Sequence, residues 1–390
     1  MLKRSLLLSV CISTAATVLF AQDARRVHPP TLTPEKSGTT QLLIAVSPVN
    51  ARVVWAAGTG GTYVVTTDGG ATWKSGVVPG AENLQFRDVQ GVSDRVAYLL
   101  SIGNDTNNFQ IYKTVDGGAH WAVQFTNATP NAFYDCFAFW TPDRGIAHSD
   151  SVNGTFPDIR TENGRTWESI ANDMPPALAN EASFSSSGTC ITTQGRQNAW
   201  ITTGGSTVAR ILATRDGGDH WSAYDTPLVS NPNAGGFSVA FRDPWHGIVG
   251  GGDLTNDSAI DAATSNDGGA TWTLTKKPPI TGAIFCLSYV MGNPLGSNRR
   301  GFGWQGQPQA LNESSNWFGH GDPDDRFQRT VVITTETQPN FTSGAAAWSP
   351  DEGQTWYALP QVSGYWGVAF ANPHAGWFVG NNGQILKISF

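Results

Sequence analysis

The eight residues Thr66, Thr67, Asp68, Gly69, Gly70, Ala71, Thr72 and Trp73 decide the fold, because the chain repeats them. The pattern Ser/Thr-x-Asp-x-Gly-x-Thr/His-Trp returns at 114–121, 214–221, 265–272 and 349–356, with a degenerate copy, RTENGRTW, at 160–167. An Asp in such a stretch can accept the backbone N–H groups of a tight turn, and the Gly beside it supplies the positive φ the turn needs. The closing Trp has ~150–250 Å² to bury beneath the turn. We therefore read Asp68, Asp116, Asp216, Asp267 and Asp351, with Trp73, Trp121, Trp167, Trp221, Trp272 and Trp356, as structural. Glu162 and Asn163 stand in place of Asp-Gly in the degenerate copy, so that turn is expected to be the weakest.

Working outward, an aromatic or aliphatic residue followed by a Gly-rich stretch precedes each copy by about one hairpin. These anchors are Trp55, Tyr98, Ile146, Trp200, Ile248, Phe302 and Trp377, at intervals of 43, 48, 54, 48, 54 and 75 residues. They define seven units, and the last one stops before its repeat. Each unit reads strand, turn, strand, Gly-rich loop, strand, repeat turn, strand; in unit five the strands fall at 236–241, 247–250, 259–264 and 271–275. Four short antiparallel strands recurring every ~40–50 residues are the signature of a β-propeller blade. The fold class is therefore all-β, a seven-bladed propeller of four-stranded antiparallel blades. The last unit lacks a fourth strand, and the segment before Gln41 belongs to no unit, so it is expected to close the ring as an outer strand. Its prolines Pro29, Pro30 and Pro34 are tolerated at such an edge.

Composition agrees. The 390 residues include 44 Gly and 15 Trp but only 14% charged residues, against roughly 25% in ordinary domains. With 39% apolar residues the chain can bury a core and is not disordered. Its 24 Lys+Arg face 31 Asp+Glu with no basic run, which excludes nucleic acid as a partner. Residues 1–22 have a basic start (Lys3, Arg4), an apolar stretch from 6 to 20 and a small Ala21, the layout of a signal peptide. A membrane anchor fits less well, since Ser9, Ser13 and Thr14 interrupt a run shorter than the ~20 residues a span needs. Lipidation at Cys11 is the minor alternative. The expected organisation is a signal peptide (1–22), an N-terminal segment with the closing strand (23–40) and the propeller (41–390), with a long insertion at about 307–341. The product is expected to be exported to the periplasm or beyond, not membrane-spanning, and monomeric.

Ten residues before each anchor lie Ala45, Asp88, Cys136, Cys190, Ser238 and Gly367, and an allowance for a longer turn brings Cys286 into the same ring of inner strands. Neighbouring inner strands are expected to lie too far apart for the ~4.4–6.8 Å Cα separation of a disulfide, so all three cysteines are read as free, buried and structural. No metal or cofactor is called for.

Two places could hold a site. The insertion is placed between the second and third strands of blade six, on the usual ligand face away from the repeat turns. It contains Trp317, Phe318, His320, Asp322, Asp324, Asp325 and Arg326, and Trp304 and Trp366 lie near the same presumed face. In blade three, Asp135 on the inner strand faces His148 and Asp150 on the second; a carboxylate-oriented histidine can act as a general base, while a strand histidine bonded to a neighbour is the commoner arrangement.

The repeat resembles the Asp-box, or bacterial neuraminidase repeat, of sialidases, xyloglucanases, sortilin-type receptors and photosystem II assembly-factor propellers. In period, anchor and unit number the chain is most similar to the last of these and its exported bacterial relatives. That resemblance implies a non-enzymatic scaffold for a protein partner such as a membrane-protein assembly intermediate. The family is associated with a basic patch, whereas this chain has seven Lys and 17 Arg that look scattered. The alternatives are a glycan-binding propeller, with Trp304, Trp317 and Trp366 stacking on sugars, and a sialidase-like glycoside hydrolase. For the hydrolase, Phe241-Arg242-Asp243-Pro244 is similar to a sialidase motif but falls in a strand 1–2 turn. Glu82, Glu181, Glu313 and Glu336 all look loop-borne, which leaves no evident acid/base pair.

Overall fold

Each unit of the repeat builds one four-stranded antiparallel sheet in the computed structural model, which describes residues 29–292, 323–337 and 344–390. Seven such blades touch through their first strands in cyclic order, so these strands line a central channel. The seven inner strands are Leu43–Pro48, Gln85–Gly91, Tyr134–Thr141, Ile191–Gln194, Ala234–Phe241, Ala283–Tyr289 and Tyr365–Asn372. The ring closes as expected. Thr31–Lys36 is the outer strand of blade seven, paired with Gln384–Ser389 from Thr31↔Ser389 to Lys36↔Gln384.

The repeat turns share one hydrogen-bond scheme. In the first, Gly70 N–H donates to the Thr66 hydroxyl (3.0 Å) and that hydroxyl donates to Asp68 (2.8 Å). Asp68 also accepts the Thr72 N–H (2.9 Å) and hydroxyl (2.6 Å). The same Asp-centred turn recurs at Asp116, Asp216, Asp267 and Asp351. The degenerate copy is one residue shorter, running from Thr161 to Trp167. There Asn163 does the work of the Asp, accepting the N–H groups of Arg165 (2.8 Å) and Thr166 (3.0 Å). The turn expected to be weakest is thus bonded like the others, without a charge.

The closing tryptophans are only part-buried apart from Trp221, and each packs into the seam between its own blade and the one before. Trp121 of blade two meets Trp55 and Tyr63 of blade one edge-on. The second-strand anchors reach the other way: Trp55 Nε1 donates to Ser93 O in blade two (2.7 Å), and Trp200 Nε1 to Gly268 O in blade five (2.8 Å). A Trp N–H that ends on a carbonyl can be buried without an unmet donor.

Two sequence expectations are corrected. The second strand of blade six is Val331–Glu336, with Val332 in the anchor position. The long connection therefore joins strands one and two, over 290–330, and not strands two and three at about 307–341; its described ends leave and re-enter the sheet at the end where the repeat turns lie. Glu336 ends that strand and is buried, so it is not loop-borne. The insertion's two roots are pinned by Glu352, which stands where the other copies have glycine, at φ +55°. Its carboxylate accepts Tyr289 OH (2.9 Å), Arg329 Nε (2.8 Å) and Arg242 Nε (2.7 Å). These contacts offset the strain of that backbone conformation.

The second correction is a disulfide, Cys136–Cys190, with Cα atoms 6.1 Å apart. Cys136 lies on the blade-three inner strand and Cys190 directly before that of blade four, where the blades converge on the axis and come within bridging range. Cys286 is free and buried, as expected, with Val368 N–H donating to its Sγ at 3.3 Å.

The disulfide spans 54 residues, a loop whose closure is worth about 4 kcal/mol in the chain-entropy model. Reduction, or Cys136→Ser with Cys190→Ser, should lower Tm markedly in calorimetry; an unchanged Tm would show that the bond adds nothing. A pH dependence also follows. Hydrogen bonds from Thr72 hold Asp68 down to about 2, and those from His120 do the same for Asp116. Carboxylates lowered in this way stabilise fully above their usual range near ~4 and lose that contribution as pH falls. Circular dichroism should show unfolding grow between about pH 4 and 2, with a shallower slope for Asp68→Asn and Asp116→Asn together.

Candidate functional site

Six inner strands skip a residue near their start, namely Ile44, Arg87, Asp135, Phe237, Phe285 and Trp366. Each sits one position before the small-residue ring that the sequence identified. A β-bulge re-aims a side chain and bends its strand. Ile44, Phe237, Phe285 and Trp366 thereby meet in one apolar cluster at the channel end formed by the strand 2–3 loops.

That end is closed by the link between blades three and four, residues 183–189. Phe184 stacks on Phe237 with centroids 4.0 Å apart, and Phe285 meets Trp366 edge-on at 5.3 Å. The serines of the link tie it to blade six: the hydroxyls of Ser186 and Ser187 both donate to Phe285 O at 2.7 Å. Arg87 Nη1 donates to Ser185 O (3.2 Å), while its guanidinium lies 5.6 Å from the Trp366 ring centroid. Farther along, Val239 N–H donates to Thr189 O (2.9 Å). The link thus crosses from blade three to contacts with blades two, five and six. Its upstream end is held by Glu181, a buried carboxylate that accepts Arg210 Nε (2.8 Å) and the Thr203 hydroxyl (2.6 Å). Glu181 is spent on this bonding.

The blade-three residues fall beside this plug, in an arrangement different from the one expected. His148 is fully buried and its Nδ1 lies 2.8 Å from Asp158, which also accepts Ser149 N–H (3.0 Å). Asp158 escaped notice because it lies ten residues on, across a hairpin. Asp135 and Asp150 instead face each other. Burial, then the neighbouring Asp150, pushes Asp135 far above the usual carboxylate range. Burial also raises Asp150, whose Oδ1 accepts Ser183 N–H at 2.8 Å. Arg87 belongs to the same group and was missed; its signal was its place one residue ahead of the small-residue ring.

The remaining candidates do not join this cluster. Asp324 and Arg326 lie at the opposite end, where Asp324 bonds His374 Nε2 (3.1 Å) and Arg326 covers the Phe327 ring. Trp304, Trp317, His320 and Asp322 lie outside the described residues, as do Phe302 and Glu313.

At that opposite end no described segment crosses the channel. A cavity of about 180 Å³ is lined by inner-strand ends from six blades, among them Ser47, Gln90, Thr192, Ala240, Ser288 and Ala369, and none of its lining residues is charged. The turns joining strands one and two encircle this mouth. They carry Arg52, Arg95, Arg144, Arg196 and Arg242, with Arg329 at the corresponding place in blade six and His374 in blade seven. Arg144 is paired with Glu162, Arg242 with Asp243 and Glu352, and Arg329 with Glu352, while Arg52, Arg95 and Arg196 make no ion pair among the described residues, so the turns gather the arginines and leave three of them unpaired. Arg52, Arg95, Arg196 and Arg329 are exposed, and Trp245 beside them is 55% exposed.

No family model and no curated protein matches the chain. Solved structures do. The chain is similar to "YCF48 bound to D1 peptide" at 14% identity and TM-score 0.59, over 93% of this chain and 97% of that one. YCF48 from Cyanidioschyzon merolae gives 15% identity and TM-score 0.60, covering 92% and 98%. The Niastella koreensis GH74 enzyme gives 14% and 0.57, over 91% of this chain and 53% of that one. At such identities the likeness establishes the propeller fold.

The plug's fit is testable at Gly188. Its φ is +78°, and a Cβ there would lie 2.3 Å from the Asp88 carboxyl. Gly188→Ala should cost at least about 1 kcal/mol from the backbone alone and lower Tm; a wild-type melting curve would mean the link is not seated as described.

Proposed function

We propose that this chain is an exported binding scaffold that takes a segment of another protein at the strand 1–2 end of its channel. One observation carries the reading: an uncharged cavity ringed by arginine-bearing turns, in a protein whose opposite channel end is plugged. A neutral, hydroxyl-lined mouth suits backbone and small side chains. Exposed guanidinium groups around it favour an acidic segment and speed its approach. The fold neighbour YCF48, caught with a D1 peptide, supports a peptide-binding use of such a ring. The disulfide supports export, since such bonds persist in oxidising compartments.

The glycan alternative draws on Trp304 and Trp317, which lie outside the described residues, and on Trp366; a hydrolase would draw on Asp135 and His148. Trp366, Asp135 and His148 are all buried in the plugged end, where a sugar would have to displace Phe184 and its serines. Arg242, the arginine of the sialidase-like motif, is engaged by Glu352 and Asp243.

The test is fluorescence anisotropy with labelled ten-residue peptides of acidic, neutral and basic composition. Acidic peptides should bind best, with Kd weakening as salt rises. Arg52→Glu with Arg95→Glu should weaken binding by about tenfold or more, and Ala240→Trp with Ala369→Trp should block it while melting curves stay cooperative. Binding that ignores both double variants, or no peptide binding at all, would overturn the reading.

A further inference from the structure

We propose that Asp135 and Asp150, holding one proton between their carboxyl groups, form a pH-sensitive latch on the segment that plugs the channel. The geometry is that of a buried carboxyl facing one that is partly exposed. Asp135 is only 1% exposed, on the bulge of the blade-three inner strand, and its Oδ2 has no hydrogen-bond partner among the described residues. Asp150 lies just beyond the end of the second strand (Arg144–Ser149), is partly exposed, and accepts the first N–H of the plug, that of Ser183.

The surrounding charges decide what a lost proton does. Blade two contributes Arg87, whose Nε is buried without a partner, and Asp88, which accepts the N–H groups of Val89 and Phe137. Blade three contributes Asp158, paired with His148. Residues 183–189 carry no titratable side chain, and upstream Glu181 is committed to Arg210. Blades five to seven present Phe237, Phe285 and Trp366, the Ser238 hydroxyl, which donates to Thr189 Oγ1 (2.8 Å), and the Cys286 thiol beside Ser187 and Thr189, which burial pushes up and keeps neutral. With one proton on the pair, its single negative charge is balanced by Arg87. The one other basic group that faces Asp150, His148, is already tied to Asp158, and like charges held side by side in a dry site cannot both persist. Asp150 is the member that can turn toward water, and when it turns it withdraws the acceptor of Ser183 N–H.

The sign follows from burial raising both groups. A carboxyl whose folded-state pKa is raised stabilises the closed plug in full at low pH, and that stabilisation is lost as pH rises through the folded value. The plug should therefore be held under acidic conditions and loosened under alkaline ones.

Hydrogen exchange read by mass spectrometry on the intact protein tests this, with rates corrected for the intrinsic pH dependence. Protection of residues 178–190 should fall by at least about tenfold between roughly pH 5 and 9, while residues 247–253 of blade five hold theirs. Asp135→Asn, which mimics the protonated member, should flatten the profile and keep the plug protected throughout. Asp150→Asn retains an oxygen for Ser183 N–H and should do the same, so it decides the matter if Asp135→Asn fails to melt cooperatively. A pH-independent wild-type profile, a wild-type slope in a folded variant, or equal loss of protection in blade five would each overturn the latch.

Discussion

Each blade has apolar faces that only its neighbours can cover, so nothing in this molecule is stable until the circle shuts. The constraint is met twice at one seam. Thr31–Lys36 supplies the outer ladder of blade seven, and from it Glu35 accepts Trp73 Nε1 of blade one at 2.9 Å. Lys387, on the strand beside it, donates to Gly69 O in the first repeat turn at 2.6 Å. The chain's two ends are thus fastened to the blade that begins the ring. Elsewhere the seams are filled by the same two devices, the forward-reaching anchor and the turn tryptophan behind it.

Closing the circle has a consequence at its centre. Seven inner strands converge on one axis, which leaves room for small side chains at one level and brings Cys136 within bonding distance of Cys190. One residue earlier, the repeated bulge turns large side chains inward. Four of them are apolar and pack with Phe184, whereas Arg87 and Asp135 face the same space as charges. A serine-rich link can cross this space because its hydroxyls satisfy carbonyls of blades four and six in place of water. Among the described residues the two channel ends consequently differ in kind, one sealed around buried ionisable groups and the other lined by uncharged side chains and ringed by arginine-bearing turns.

Much of this was legible beforehand. The repeat, the seven units, the closing strand and the ring that holds the cysteines all follow from spacing, since a fixed period dictates equivalent places in equivalent blades. Misreadings arose where the period broke. Phe302 occupied the anchor's expected place in blade six, so the insertion was assigned to the wrong connection and hence to the wrong end. The degenerate turn looked weak because its copy is one residue short, which hides Asn163 in the Asp position. His148 was paired with its neighbours in sequence, although a hairpin brings Asp158 to it.

What the sequence by itself determined was therefore the number of blades, the order of strands within them and the closure of the ring, because those depend on local turn chemistry repeated at a constant interval. Only the tertiary structure decided which cysteines bond, which carboxyls meet and which end of the channel is sealed. Those outcomes depend on distances between blades, and residues 49, 54 or 99 positions apart (Asp88 and Phe137, Cys136 and Cys190, Ser186 and Phe285) become neighbours only when the circle shuts.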